Sequence, residues 1–273
     1  MELEGFLLLD KPPKIASSEA TALISKLVGK KCGHIGTLDP NVSGVLPIAI
    51  GRSRKLIQFL DRETKEYVGI LKLSEEVPRE RIERVFRAFT GEITQMPPKI
   101  SAVARRNRKR KVYSLDIVEI QGKKVLFIAN VEAGTYIRVL CEDIGKALGI
   151  KGRMDELRRT AFGNWRESQC ITIDNFIECL AKGETPAALL PPEKALPGKV
   201  VEIKKEAIKP IKDGMPLFFS SIVSSEPFKA GDLLKVMFGG SLVGMALAVA
   251  SYGKESEEPA KKREAAKFLR VHI

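Results

Sequence analysis

The first group in this sequence able to do chemistry is a carboxylate on a constrained loop. Segment 33–46, GHIGTLDPNVSGVL, holds three glycines and a proline in fourteen residues, and Asp39 stands directly before Pro40. Proline restricts its predecessor to extended backbone, which fixes how the carboxylate is presented. An ionised carboxylate so held can attack or stabilise an electron-poor carbon. Equally, Asp before Pro commonly opens a turn. The residues alone leave both readings open. Tyr67, in KEYVGILKL, alternates on a strand with Lys65, Gly69 and Leu71, and core packing would explain it as well as a pocket. Arg138 reads as a surface arginine in the first turn of a helix, and His34, five residues before Asp39, as a histidine satisfied by loop hydrogen bonds. Arg105, Arg106, Arg108, Lys109, Arg110 and Lys111 put six cations in seven positions, a solvated loop, a localisation signal or a phosphate contact.

Other chemistry is disfavoured. Cys32, Cys141, Cys170 and Cys179 stand far apart with no C-x-x-C pair, and His34 and His272 are the only imidazoles. A structural zinc site needs clustered thiolates or imidazoles, so neither a metal nor a disulfide is expected, and the thiols read as buried and reduced.

The elements that must position these groups follow from periodicity and turn residues. Residues 5–10 predict a buried strand closed by Lys11-Pro12-Pro13. Ser17 or Ser18 can cap a helix to about Val28. A strand is expected over 65–73, a helix over 78–89, and a hairpin of 111–120 and 123–131 across Gln121-Gly122. Thr135 can cap a helix whose Ile137, Leu140, Ile144 and Leu148 share a face before Gly149. Strands and helices mix without regular βαβ alternation, which argues for the α+β class. Segment 185–198, with four prolines, reads as a linker. Beyond it, 232–238 and 241–251 form a hairpin pattern across Gly239-Gly240, 253–264 a charged loop, and 266–271 a last strand.

The 273 residues carry a net charge of +12 with 44% hydrophobic side chains, enough for a sizeable core and suggestive of a polyanionic partner. No apolar run approaches the roughly 18 residues that cross a bilayer. The start Met-Glu-Leu-Glu is no signal peptide, and a cytoplasmic protein is expected. Residues 1–197 hold 33 basic and 25 acidic side chains, net +8, so the six cations of 105–111 leave the rest of that region at only +2.

GHIGTLDPNVSGVL closely resembles the signature of the TruB/dyskerin family of RNA pseudouridine synthases. Further stretches follow in that family's order: LLLDKPP at 7–13, KEY at 65–67, QMPPKISAV at 95–103, EAGTYIRVLCEDIG at 132–145 and MDELRRT at 154–160. KAGDLLKVMFGGSLVGMALA at 229–248 is similar to a PUA domain. The resemblance implies a mainly antiparallel catalytic domain over 1–190, with a thumb loop at about 101–113. A small β-barrel, a reduced PUA-like RNA-binding domain, would then occupy 198–273. It makes Asp39 the nucleophile, Arg138 its cationic partner and Tyr67 the residue that stacks on the target base. Tyr136, Leu157 and Lys11 become active-site support, His34 fills the space of the extruded nucleotide, and the 105–111 run grips RNA. No metal or organic cofactor is implied.

Val42-Ser43-Gly44 and the basic thumb followed by Val112-Tyr113 look closest to the guide-dependent archaeal branch. Expected partners are therefore substrate RNA (rRNA or tRNA), an H/ACA guide RNA and small partner proteins, with no membrane. A stand-alone enzyme of the tRNA T-loop, a non-catalytic RNA-assembly protein and a nucleosidase are the rival readings. Two stretches depart from the family pattern. Its opening motif usually continues Gly-x-Thr-Ser, where this chain has Lys14-Ile15-Ala16-Ser17. Ala161-Phe162 replaces a basic-then-small pair after LRRT.

Overall fold

Alternating apolar and polar residues in KEYVGILKL make β4 (Lys65–Leu73), whose side chains are buried and half-buried in strict turn. It lies near the middle of a sheet and is flanked on both sides by antiparallel neighbours. The computed structural model describes residues 3–98, 104, 106–253 and 263–272. Along the sheet the order is β1 (Gly5–Lys11), β3 (Ser43–Ile50), β8 (Gly152–Phe162), β4, β7 (Lys124–Val131), β6 (Arg108–Gln121) and β5 (Gly91–Gln95). The short β2 (Cys32–His34) pairs with β3, and β9 (Trp165–Arg166) with β8. Within this sheet β3 and β8 run parallel, whereas β4–β7, β4–β8, β5–β6 and β6–β7 are antiparallel, so the expected α+β class and mainly antiparallel sheet are borne out.

The helices are α1 (Ser17–Val28), α2 (Arg79–Ala88), α3 (Ile137–Ala147) and α4 (Ile173–Ala181). α3 buries Ile137, Leu140, Cys141 and Ile144 and lies on β8 at a close approach. A Cβ added to Gly145 would meet the Gly152 backbone nitrogen at 2.2 Å, so no larger residue fits there.

Contact density divides the chain into two compact units, one of Leu7–Ile48 and Asp61–Ala188, the other of Glu2–Phe6, Ala49–Leu60 and Leu189–Ile273. The second carries β10 (Leu189–Leu190), the one-turn helix α5 (Pro192–Ala195) and α6 (Ile208–Lys212). Its six-stranded sheet runs β12 (Leu217–Phe218), β16 (Glu264–Val271), β15 (Ser241–Ala248), β14 (Leu233–Phe238), β11 (Lys199–Ile203) and β13 (Ile222–Ser225). Val201, Leu234, Val236, Val243 and Ala246 fill its core, with the rings of Phe219, Phe228 and Tyr252 stacked together. No described helix is long and apolar enough to cross a membrane.

Several boundaries differ from expectation for physical reasons. The N-cap of α1 is Ala16, because the Ser17 hydroxyl is engaged elsewhere, accepting from the Leu38 N–H and donating to the Leu38 carbonyl, both at 2.8 Å. Glu19 compensates by accepting from the Ala16 N–H at 2.7 Å. α3 is capped at Tyr136 rather than Thr135, whose hydroxyl is buried without a partner. The expected linker 185–198 instead carries β10 and α5, with Ala195 and Leu196 buried. β6 begins at Arg108, so the last four cations of the basic run lie on a strand, not in a loop. Cys141 alone is buried among the thiols, the other three being half-buried. Most of the charged loop expected at 253–264 lies outside the described residues, as does Arg105.

Candidate active site

The loop bearing Asp39 is pinned on both sides. Ser17 holds Leu38 immediately before it, and Lys11 and Lys14 hold Pro40 immediately after. Lys11 is fully buried and donates to the carbonyls of Pro12 (2.7 Å), Ile15 (2.8 Å) and Pro40 (3.2 Å). Burial, and then the charge of Arg159, lowers its pKa below the ordinary lysine value. Lys11 therefore acts on the backbone around Asp39 and does not line the cavity beside it.

That cavity, about 590 Å³, is lined by Asp39, Tyr67, Tyr136, Arg138, Leu157 and Arg110 among the residues singled out from sequence. Its size suits a small-molecule-sized group such as one nucleotide. Arg138 faces Asp39 across 3.3 Å (Nη2 to Oδ2), with the two side chains 41% and 48% exposed. Tyr136 and Arg138 arrive from the start of α3. Their approach is set by Gln95 at the end of β5, whose amide donates to the Tyr136 carbonyl at 3.1 Å and accepts from its N–H at 3.0 Å. Tyr67 and Leu157 come from the adjacent strands β4 and β8.

His34 stands apart from the cavity wall, between two hydroxyls, Thr21 Oγ1 at 2.9 Å from Nδ1 and Thr37 Oγ1 at 3.1 Å from Nε2. Burial and then Arg159 lower its pKa, so the ring is neutral at pH 7. Within the basic run, Arg110 turns onto the cavity edge and donates to the Gly134 carbonyl at 3.0 Å. Lys109 is exposed and pairs with Glu92 at 2.8 Å, Lys111 lies over the Tyr113 ring at 5.3 Å, and Arg106 and Arg108 lie outside the cavity wall.

Two buried cavity-lining cations lie inside the quoted motifs KEY and MDELRRT without a role assigned by the resemblance. Lys65 is buried, donates to the carbonyls of Asp61 (3.1 Å) and Glu63 (2.5 Å), and lies 4.5 Å over the Phe162 ring. Burial, then repulsion from Arg159, pushes its pKa down to about 8. Arg159 is buried beside it, its Nε donating to the Val45 carbonyl at 2.7 Å. The signal for Arg159 is its spacing, two residues beyond Leu157 on a strand, which repeats the same face. Gln95 carries no such signal, since its role depends on a partner 41 residues away.

These features coincide with similarity at the level of domains. The N-terminal domain of the TruB family of pseudouridylate synthases matches residues 25–79 and 72–137, and the C-terminal domain of tRNA pseudouridylate synthase B matches residues 138–197. The chain belongs to the TruB family of RNA pseudouridine synthases.

Among its relatives, the "Probable tRNA pseudouridine synthase B" of Thermoplasma acidophilum is 39% identical over 267 residues, spanning 91% of this chain and 71% of that protein. A protein of the same name from Thermococcus onnurineus is 43% identical over 244 residues, covering 85% and 73%. In three dimensions the chain is similar to a chain of a Cbf5-Nop10-Gar1 complex, with a TM-score of 0.85, 39% identity, and coverage of 98% of this chain and 85% of the other. A structure of an H/ACA ribonucleoprotein bound to a substrate RNA containing 2′-deoxyuridine matches with a TM-score of 0.86, 37% identity and coverage of 98% and 85%.

Proposed function

We propose that this chain is the catalytic subunit of a guide-directed box H/ACA ribonucleoprotein, with Asp39 as nucleophile, Arg138 as its counter-ion and Tyr67 stacking on the target base. The observation that carries the catalytic reading is the Asp39–Arg138 pair, 3.3 Å apart at a cavity that Tyr67 also lines. Converting uridine to pseudouridine breaks the C1′–N1 bond, turns the base and joins C1′ to C5. Bond cleavage leaves positive character on the sugar, which an ionised carboxylate can attack or stabilise. Arg138 gives that carboxylate a cationic partner at 3.3 Å beside the space the base would enter. Tyr67 offers a ring face for stacking and a hydroxyl for proton transfer at C5. Tyr136 and Leu157 wall the space that receives the extruded nucleotide.

Guide-directed action is favoured by the similarity to Cbf5 assemblies along nearly the whole chain, with Nop10- and Gar1-like proteins as the expected partners. Stand-alone action on tRNA is favoured by the names of the curated relatives. A non-catalytic scaffold gives no reason to keep a half-exposed carboxylate and a guanidinium facing each other.

The experiment incubates RNA tritiated at the uridine C5 with the protein alone, and then with a guide RNA and the small partner proteins. Release only in the second mixture is expected. Release by the protein alone would favour the stand-alone enzyme, and no release in either mixture would overturn the catalytic roles.

A further inference from the structure

Along β4 the side chains of Lys65, Tyr67 and Gly69 share one face, and pairing with β8 sets Tyr67 opposite Arg159 and Gly69 opposite Leu157. The neighbouring arginine, Arg158, points to the opposite face. There it is held by both oxygens of Asp10 (3.0 and 2.9 Å) and by Glu167 at 2.6 Å. Arg159 has no such anchor. Among the described residues no carboxylate pairs with it, and its Nη2 is buried without a hydrogen-bond partner. The guanidinium is fixed all the same, by the bond to Val45 and by the Phe162 ring 5.4 Å away. The backbone makes room for it at Gly36, where an added Cβ would lie 3.2 Å from Nη1 and 3.0 Å from Phe162.

A buried cation without a counter-ion is costly, and such groups persist where a site needs their charge. Burial pushes the Arg159 pKa down, and Tyr67, its cross-strand neighbour on the wall of the same cavity, is the first of the groups that oppose this. We propose that Arg159 is a positioning residue for Tyr67, holding the phenol oxygen in place and supporting the negative charge it carries when it takes the C5 proton. This rests on the proposed role of Tyr67.

The step balances without any co-reactant. Once C1′ is joined to C5, that carbon bears both the new bond and its hydrogen. Tyr67, its own proton released to solvent, acts as phenoxide. The C5–H bond breaks and its electron pair forms C5=C6. The C6=N1 pair moves onto N1, which takes a proton from solvent, and the C5 proton ends on the Tyr67 oxygen.

The test is single-turnover kinetics with RNA carrying protium or deuterium at C5 of the target uridine. Arg159→Met keeps the volume and removes the charge, whereas Arg159→Lys keeps the charge and loses the planar fork. Arg159→Met is expected to slow turnover at least about tenfold with little change in KM, and to raise the C5 isotope effect to about 2 or more as proton removal becomes limiting. Arg159→Lys should recover part of the rate. An unchanged rate, or a slower rate with the wild-type isotope effect, overturns the proposal. Should Arg159→Met fail to fold, the same isotope comparison on Arg159→Lys decides. Tyr67→Phe separates the two layers. If it keeps full activity, the reading of Tyr67 itself fails. If it loses activity while both Arg159 variants match wild type, only the role given to Arg159 fails.

Discussion

Asp39 and Arg138 face each other with nearly half of each side chain in water, so solvent screens their attraction and little fold stability depends on it. In the proposed mechanism their worth lies at the reacting carbon. Arg138→Ala should therefore change unfolding free energy by less than about 1 kcal/mol in a urea titration. In a turnover assay it should lower kcat by about 10²-fold or more. Lys14 is a residue-scale cost of a different kind. It is the only non-glycine among the described residues with positive φ, at 71°, and it stands where the resembled motif has glycine. The position is kept because the Lys14 N–H donates to the Pro40 carbonyl at 2.8 Å, next to Asp39. Lys14→Gly should raise stability by about 1 kcal/mol, read as a higher melting temperature. A lower one would mean that the lysine side chain does something the backbone angle hides.

At the scale of elements, the helix starts and the strand faces set the site. α1 begins without a side-chain cap at Ala16, where the resembled motif has threonine, and the backbone there is extended as a cap requires. Ala16→Thr should add about 1 kcal/mol of stability in thermal melts. Ser17 was legible as a helix-start residue, but its bonds to Leu38 depend on a loop 21 residues away that local periodicity cannot register. Thr135 failed as a cap for a similar reason, since Gln95 satisfies the backbone of Tyr136 from a distant strand. The faces of β4 are readable from alternation, but alternation fits core packing as well, and only the KEY motif marks Tyr67 as a site residue. In β8 a motif match carries no strand period, so it does not reveal that Arg159 shares a face with Leu157.

Lys65 gives the element-scale account a pH signature. Its folded pKa of about 8 lies below the ordinary lysine value of 10.5, so the unfolded chain binds more protons between those values. Stability should then rise with pH across that window, by at most about 3 kcal/mol for this group. Lys65→Met should flatten that rise in urea titrations run at a series of pH values. An equal slope in wild type and variant would show that the buried amine does not titrate there.

Across the whole molecule, most of the +12 excess lies in the basic run, at six cations, and in residues 198–273, at net +4. Composition alone pointed to some polyanion. The structure adds that the run is not uniform, because Arg110 is spent on Gly134 at the cavity edge and Lys109 on Glu92. Replacing Arg108 and Lys109 by alanine should weaken RNA binding and reduce the slope of log affinity against log salt by about 1 to 2, with the melting temperature unchanged. An unaltered slope would remove these two from the RNA contact. The order of the motifs along the chain made the family legible. The division into units was less so, because Ala49–Leu60, close to the Asp39 loop in sequence, belongs to the same unit as Leu189–Ile273. A composition shift along the chain cannot reveal such a return.

The most direct test of the central claim is tritium release from C5-labelled uridine RNA by wild type and by Asp39→Asn, with guide RNA and partner proteins supplied and single-turnover rates compared. The exchange keeps the shape and most hydrogen bonds of the side chain while removing its charge. The account predicts release by wild type and a loss of at least about 10³-fold in the variant, with RNA affinity retained. Full release by Asp39→Asn would contradict it.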